Sequence, residues 1–220
     1  MKPLRLRSLL ELASILLLLL LVPLPSTKRL AAAFIPNSSL LLQHSSISRD
    51  TRLKMSVSEL SIKIVEVDKP DDVNVVVGMT HFIKSVDDIH EAMVNAVPDI
   101  KFGLGFCEAS GDRLVRWTGT DERLIDIAKR NALAMACGHS FILVLGPPVF
   151  PIHVLKSLKD VPEVCRILCA TQNRLQLVVA ETEAGRGIMG VIDGETPLGV
   201  EEEDQIKERR NFLKMIGYKL

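Results

Sequence analysis

Net charge, metal-ligand spacing and a phosphate-binding glycine loop are all missing from this chain. Its 220 residues carry twenty-seven basic and twenty-seven acidic side chains. The balance is uneven. Eight basic residues stand against three acidic ones in the first sixty, which leaves nineteen against twenty-four in the remainder. An acidic body excludes a broad nucleic-acid surface, whose footprint is a basic face, but it leaves room for a local cationic pocket. No G-x-x-x-x-G-K-[ST] occurs, so the chain is not a P-loop enzyme. There are only four cysteines, Cys107, Cys137, Cys165 and Cys169. Cys165-x3-Cys169 lacks the spacing of a zinc pair. Strand alternation is expected to put both sulfurs on one face, as reduced core thiols. With no Cys/His pattern of metal spacing, no metal site is assigned. Beyond the first sixty residues there is neither an internal repeat nor a low-complexity linker.

The excess of positive charge lies in a leader. Lys2, Arg5 and Arg7 precede an apolar run from Leu9 to Val22, broken only by Glu11 and Ser14 and ended by Pro23 and Pro25. Ala31-Ala32-Ala33 then offers a cleavage site, so residues 1–33 read as a signal peptide. The alternative is a membrane anchor, but the unbroken stretch Ile15 to Val22 is short against the roughly 20 apolar residues of a span. No stable membrane insertion is expected after processing. "AAAFIP" resembles the cleavage motif of plastid precursors in algae with complex plastids, with Phe34 opening a transit peptide. Residues 34–56 fit that composition, being rich in Ser, with Arg49, Arg52 and Lys54 against the single acid Asp50. The expected destination is a plastid; the alternative is the secretory pathway. Fold is read from residues 61–220.

There the signals alternate. "SIKIVEV" has period-two apolar residues, and "VNVVVGM" is a second β-branched run. A helix follows, capped by Ser85, with Asp87 and Asp88 in its first turn, Val86, Ile89, Met93 and Val97 along its apolar stripe, and Pro98 at its end. "IKFGLGFCEAS" and "RLVRWTG" read as strands joined around Ser110-Gly111-Asp112 by a tight hairpin, Gly-Asp supplying positive φ. Thr120 caps a helix from Asp121 to Ala136, with Leu124, Ala128, Ala132 and Met135 on one face. "SFILVLG" is a buried strand, Pro151 to Leu158 a short helix, and "EVCRILCAT" and "LQLVVAET" are strands. Glu201 to Tyr218 is a charged helix with Ile206, Leu213 and Ile216 inward. The fold class is α+β, one domain with a mixed β-sheet and packed helices.

"AETEAGRGIMGVIDG" contains Gly185-Arg186-Gly187-Ile188-Met189-Gly190, a G-x-G-x-x-G. A dinucleotide turn needs a strand before it, a helix after it and an acid about 20 residues on. Gly194 and Pro197 forbid the helix, so the motif is rejected. The glycines either permit positive φ in a bulged strand or let a ligand approach the main chain. Arg186 and Asp193 lie in this block. Arg186 can hold a phosphate bidentately beside free backbone N–H groups, or it pairs with Glu181 or Glu183 on a solvated edge. Both readings stand.

Among the histidines His81 has the most suggestive position, at a strand end just before a helix. A helix N-terminus keeps an imidazole neutral, and its free N–H groups welcome a phosphoryl group; Lys84 adds charge. The alternative is a structural His in a loop. Around one turn cluster Glu108, Ser110, Asp112, Arg113 and Arg116. Glu108, if inward, is costly unless paired. His139 sits at another helix–strand junction.

"VGMTHFIKSVDDIHEAMV", "KFGLGFCEASGDRLVRWTG", "ALAMACGHSF", "PIHVLKSLKDVPEVCRILCAT" and "VVAETEAGRGIMGVIDGETPLGVE" together resemble the adenosine-specific kinase family, the adenosine/AMP kinases, from about Ser61 to Glu202. The leader, and with it the terminal helix, falls outside that span. The resemblance implies an α+β fold, a homotrimer, binding of adenosine or AMP, and a stably phosphorylated histidine, which the motif places at His81. Where family members often carry Gln-Ser this chain has Met79-Thr80, losing a polar side chain beside the site. The resemblance also implies a nucleotide pocket including Ser110, Asp112, His139 and Arg186. The function expected is a phosphotransferase with ATP as donor. His81 and Lys84 are catalytic, Glu108, Ser110, Asp112, His139, Arg186 and Asp193 bind substrate, and Glu108 or Asp112 orients the acceptor hydroxyl or holds Mg²⁺. The competing expectation is an adenylate-binding sensor without turnover.

Overall fold

The computed structural model describes residues 59–218; the leader lies outside the described residues. In chain order the elements are β1 (Ser61–Glu66), β2 (Asn74–Thr80), α1 (Ser85–Ala96), β3 (Phe102–Cys107), β4 (Val115–Gly119), α2 (Glu122–Met135), β5 (Ser140–Leu145), α3 (Pro151–Lys159), β6 (Val164–Thr171), β7 (Leu175–Thr182), β8 (Gly185–Asp193) and α4 (Glu203–Met215). Five strands form one sheet in the order β4-β3-β5-β2-β6, and three form another in the order β1-β7-β8. The α+β class holds. The mixed sheet of the sequence expectation resolves into two sheets whose pairings are all antiparallel. β2 and β3 do run parallel across α1, but β5 lies between them, antiparallel to both.

Alternation along β2 and β5 builds a core on each face of the larger sheet. Val76, Phe141, Leu143 and Leu145 meet Ile89 and Met93 of α1 and Val154 and Leu158 of α3. Val75, Val77, Ile142 and Val144 meet Leu124, Ala128, Ala132 and Met135 of α2, together with Leu175, Leu177 and Val179 of β7. α2 and the smaller sheet thus share one side. Each fully buried large aliphatic or aromatic side chain contributes roughly 1.5–3 kcal/mol, and the stripes anticipated for α1 and α2, half-buried Val97 apart, are the ones buried. β3 has no side chain to spare at two positions. A Cβ on Gly103 would stand 2.2 Å from the Leu124 carbonyl oxygen, and one on Gly105 2.6 Å from that of Ala128. These glycines let α2 lie directly on the strand.

Several local expectations change. The α2 cap is Asp121, whose carboxylate accepts from the Leu124 N–H at 3.2 Å. Thr120 instead donates to Ile100 O at 2.5 Å and accepts from Phe102 N at 3.2 Å, tying the strand end to β3. Ser85 is not a cap but the first helical residue, bonded through its hydroxyl to Thr80 Oγ1 and the Phe82 carbonyl. The β3–β4 connection is longer than a two-residue turn, with positive φ at Gly111 and Arg113. β6 pairs with β2 through two register shifts. Those shifts break the alternation between Cys165 and Cys169, so Cys165 is exposed and Cys169 half-buried. α4 buries no residue: Ile206 and Leu213 are half-buried and Ile216 is exposed. Among the described residues no helix is long and apolar enough to cross a membrane.

Candidate functional site

The topology brings the chemistry to one edge. β2 and β3 end where β4, β5 and β6 begin. His81 follows β2, Glu108 follows β3, His139 precedes β5, and the 108–114 loop precedes β4. Backbone bonds knit them together. Thr80 N–H donates to His139 O at 2.8 Å, His139 N–H to Cys107 O at 2.7 Å, and His81 N–H to Glu163 O at 3.1 Å. His139 adopts φ 61°, a conformation a non-glycine residue rarely takes, and its ring lies over Phe106 at 6.2 Å between centroids.

His81 is exposed, its ring 6.3 Å from that of Phe82. The helix it precedes does not offer the free donors expected at an N-terminus. Ser85 N–H and Val86 N–H are taken by the carbonyls of Phe82 and Ile83, both at 3.1 Å. Asp87 and Asp88 follow in the first turn. The cation on this side is Lys84, paired with Asp88 and, at 3.4 Å, with Glu163. The bond to Asp88 holds the Lys84 ammonium above its ordinary range and the Asp88 carboxyl below its own. Glu163 is a residue the sequence reading missed. It is 8% exposed, and among the described residues its Oε2 has no partner. A buried carboxylate oxygen without a donor is uncommon and costly.

Two hollows open along the same edge. One, of about 390 Å³, is walled by Cys107, Glu108, Arg113, Leu114, Gly138 and Arg186, with the end of α2 behind them. The other, of about 430 Å³, lies between Ile83, Val86 and Asp87 of the α1 start and Leu114 to Trp117. Leu114 and Val115 border both. Arg186 reaches the first hollow from β8, paired with Glu181 and donating to Ala134 O at 3.4 Å. Glu181 also takes Lys63 at 2.7 Å; Lys63 and then Arg186 hold its carboxyl below the ordinary range. The solvated-edge pairing and the pocket-lining role of Arg186 are therefore both present.

Glu108 is half-buried and satisfied. Its Oε2 accepts from Leu114 N–H at 3.1 Å and Arg116 at 3.0 Å. The Leu114 N–H, then Arg116, holds its carboxyl below the usual range. It closes the loop as well as lining the hollow. Ser110 and Asp112 sit exposed at the loop tip, Asp112 3.7 Å from Arg116, and neither lines a hollow. Cys107 beside them is buried, and burial raises its thiol. Asp193 does not join the group. β8 carries it eight residues beyond Gly185, about 26 Å at strand rise, where Thr171 and Asn173 donate to it at 2.7 and 3.0 Å. It lies near Arg186 in sequence and at the opposite end of the strand in space. Arg113, Arg116 and Glu163 join the site instead. The first two were visible as charges around the turn; Glu163 carried no signal beyond an acid within an apolar run.

In β8 only Gly185 has a positive φ, 148°. Gly187 and Gly190 need no unusual backbone, and a bulge lies between the partners of Val178 and Val179. No curated protein matches the chain. Among solved structures, the PH1918 protein of Pyrococcus horikoshii OT3 is 39% identical with a TM-score of 0.71. The match covers 74% of this chain and 99% of that one. Residues 65–219 match the family described as adenosine specific kinase, a span that takes in α4, which the sequence resemblance had left outside. On that match, extending over most of the chain and all of the strand edge that gathers these residues, the protein belongs to the adenosine-specific kinase family.

Proposed function

We propose that the protein is a phosphotransferase acting on adenosine or AMP through a phosphohistidine at His81, with ATP as donor. The observation that carries this reading is the gathering of His81, Lys84, Glu108 and His139 at one end of the larger sheet, where Glu108 lines a hollow that Arg186 enters from β8. The exposed His81 imidazole attacks the γ-phosphorus; the bond to the ADP oxygen breaks as the N–P bond forms. The N–P bond then breaks as the acceptor oxygen bonds phosphorus and releases its proton. Lys84 and Arg186 neutralise the transferred group, the main lever in phosphoryl transfer. Glu108 is committed to Leu114 and Arg116, which leaves Asp112 the freer carboxylate of the two for an acceptor hydroxyl. Magnesium arriving with nucleotide phosphates needs only one or two carboxylates. Asp88 and the partnerless Oε2 of Glu163 fit that demand and would hold the ion, which would add charge neutralisation at the phosphates.

A second reading, a sensor that binds adenylate without turnover, draws on the pairing of both Lys84 and Arg186 with carboxylates. Incubation with γ-labelled ATP, with and without adenosine, separates the two for wild type and His81→Ala. The kinase predicts acid-labile label on wild type alone and AMP on adding adenosine. Absence of both from wild type would sink it, and adenosine binding without turnover would favour the sensor. The homotrimer and plastid import through residues 1–56 complete the proposal. A fluorescent fusion of the first sixty residues retained in the endoplasmic reticulum or secreted would defeat import.

A further inference from the structure

One cation at the first hollow has no partner inside the chain. Arg116 is matched by Glu108 at 3.0 Å and by Asp112 at 3.7 Å. Arg186 and Lys63 share Glu181. Arg113 lines the same hollow as Glu108 and Arg186. Among the described residues its guanidinium makes neither an ion pair nor a side-chain hydrogen bond. An unpaired arginine is ordinary on a convex surface. This one stands in a concavity of about 390 Å³, within the size range of ligand pockets.

The backbone at this position is costly as well. Arg113 has φ 55°, in the left-handed region that strains a residue carrying a Cβ. Gly111, two residues earlier, meets the same demand with a glycine at φ 69°. The loop closes next to Arg113. Glu108 N–H donates to Leu114 O at 3.0 Å, and the Glu108 carboxylate accepts from Leu114 N–H at 3.1 Å. That closure fixes where the Arg113 side chain leaves the loop. Glycine or asparagine would take this φ more easily. Neither local conformation nor an internal partner accounts for an arginine here. Backbone strain of this kind gathers where a ligand is held. His139, at φ 61°, follows Gly138 of the same hollow wall.

The chemistry of the wall selects the occupant. A guanidinium is a planar fork of donors that matches phosphate oxygens two at a time. Arg113 and Arg186 both face the hollow, and its one carboxylate, Glu108, is committed to Leu114 and Arg116. Two arginines set apart on one wall suit an anion with several charged groups along its length. Leu114 and Leu133, 51% and 71% exposed, border the hollow too. Apolar side chains open to water beside two arginines suit the flat face of a base next to its phosphates.

We propose that Arg113, together with Arg186, grips a polyphosphate chain in this hollow. The apolar border favours the chain of a nucleoside triphosphate over an inorganic one. Assigning that nucleotide as the phosphate donor rests on the phosphotransferase reading; the grip on polyphosphate does not. No bond forms or breaks at Arg113, which is a binding residue.

The test uses the chain from residue 57, because the PH1918 protein, matched over 99% of its length by 74% of this chain, folds without a leader. Arg113→Gly removes the cation and accepts the left-handed backbone. Its urea midpoint should equal or exceed that of wild type. Calorimetry should show tripolyphosphate and ATP binding weakened roughly tenfold or more, with adenosine binding unchanged. Arg113→Lys should fall between the two, keeping the charge without the fork. If Arg113→Gly lowers the midpoint, Arg113→Asn, which also tolerates this φ, is read in its place. Anion affinity that survives in the neutral variant, an equal loss for adenosine, or a wild type that binds neither anion would each overturn the proposal. ATP held more tightly than tripolyphosphate names a nucleotide as the source of the chain; the reverse names an inorganic polyphosphate, gripped by the same residues. Acid-labile label missing from wild type while tripolyphosphate still binds would end the phosphotransferase reading and leave the grip. Label formed on wild type, with binding unchanged in Arg113→Gly, would do the opposite.

Discussion

Replacing Gly103 by alanine tests whether α2 truly lies against β3. The added Cβ would stand 2.2, 2.3 and 2.4 Å from the Leu124 carbonyl oxygen, the Leu124 carbonyl carbon and the Ile125 nitrogen. Ordinary carbon–oxygen approach is about 3.3 Å or more, so the helix must retreat by roughly 1 Å. The obstacle is backbone on every side, with no flexible side chain able to swing away. Overpacking in a core costs about 1–3 kcal/mol, occasionally more, and an obstruction by helix backbone belongs at the upper end, about 3 kcal/mol. With a urea slope of about 1–3 kcal/mol/M, the unfolding midpoint should fall by roughly 1 M or more. Gly199→Ala is the control, since nothing lies within 4 Å of its Cβ position and its φ is not positive; it should shift the midpoint by less than the error of the measurement. Equal shifts for the two variants would refute the packing argument. The consequence reaches the site, because the last turn of α2, with Ala132, Leu133 and Ala136, backs the hollow that Arg186 and Glu108 line.

Asn131→Ala removes three bonds, two to the backbone of Asp68 and one to Ile127 O, each 2.8–2.9 Å; it should cost about 2 kcal/mol by urea unfolding, and an unchanged midpoint would show the clamp to be idle. The folded-state pKa of Glu108 lies below its ordinary value, so its contribution is present above the unfolded pKa of about 4.3 and disappears as pH falls through the folded value. Glu108→Gln should therefore unfold at lower urea than wild type at pH 7, with a gap that narrows as pH falls below about 4; a gap that stays constant down the acid limb would contradict this. Arg186→Ala should weaken AMP binding roughly tenfold or more, as charged hydrogen bonds of about 1.5–3 kcal/mol imply, while adenosine changes less. Equal losses by calorimetry would make the arginine structural.

The strands and helices were legible because apolar periodicity survives into the fold: the α1 and α2 stripes and the buried run of β5 are where spacing puts them. What failed was local and geometric. Thr120 and Asp121 are both competent caps, and only the path of the chain decides that Asp121 does the capping. Bulges in β6 break an alternation that the residue types support. Asp193 and Arg186 are close in sequence, yet an intervening strand is the surest way to hold two residues apart. His81, Lys84, Glu108 and His139 were identifiable as polar residues at element ends. That they share one edge depends on β5 inserting between β2 and β3, which local pattern does not encode. Glu163 was invisible because burial of an acid is a property of its neighbours.

The two cations of the proposed site are instructive in their pairing. Lys84 is held by Asp88 and Glu163, and Arg186 by Glu181. A bare cation near a hollow would wave through solvent and lose side-chain entropy on meeting phosphate; one already seated between carboxylates has lost much of that freedom in folding. Binding phosphate then exchanges one anionic partner for another, with little change in the hydrogen-bond count. The released carboxylates are not equivalent. Glu181 keeps Lys63 at 2.7 Å, so Arg186 can leave it without stranding a charge. Glu163 is buried, with an oxygen already lacking a partner, and Lys84 cannot leave it at small cost unless another cation takes its place. Arg186 is therefore the residue free to follow phosphate, and Lys84 the one whose movement requires a compensating ion. In nucleotide titrations, binding should depend on magnesium in wild type and lose most of that dependence in Glu163→Gln, where no buried charge waits to be matched. A magnesium dependence equal in the two proteins would show that Lys84 stays where it is.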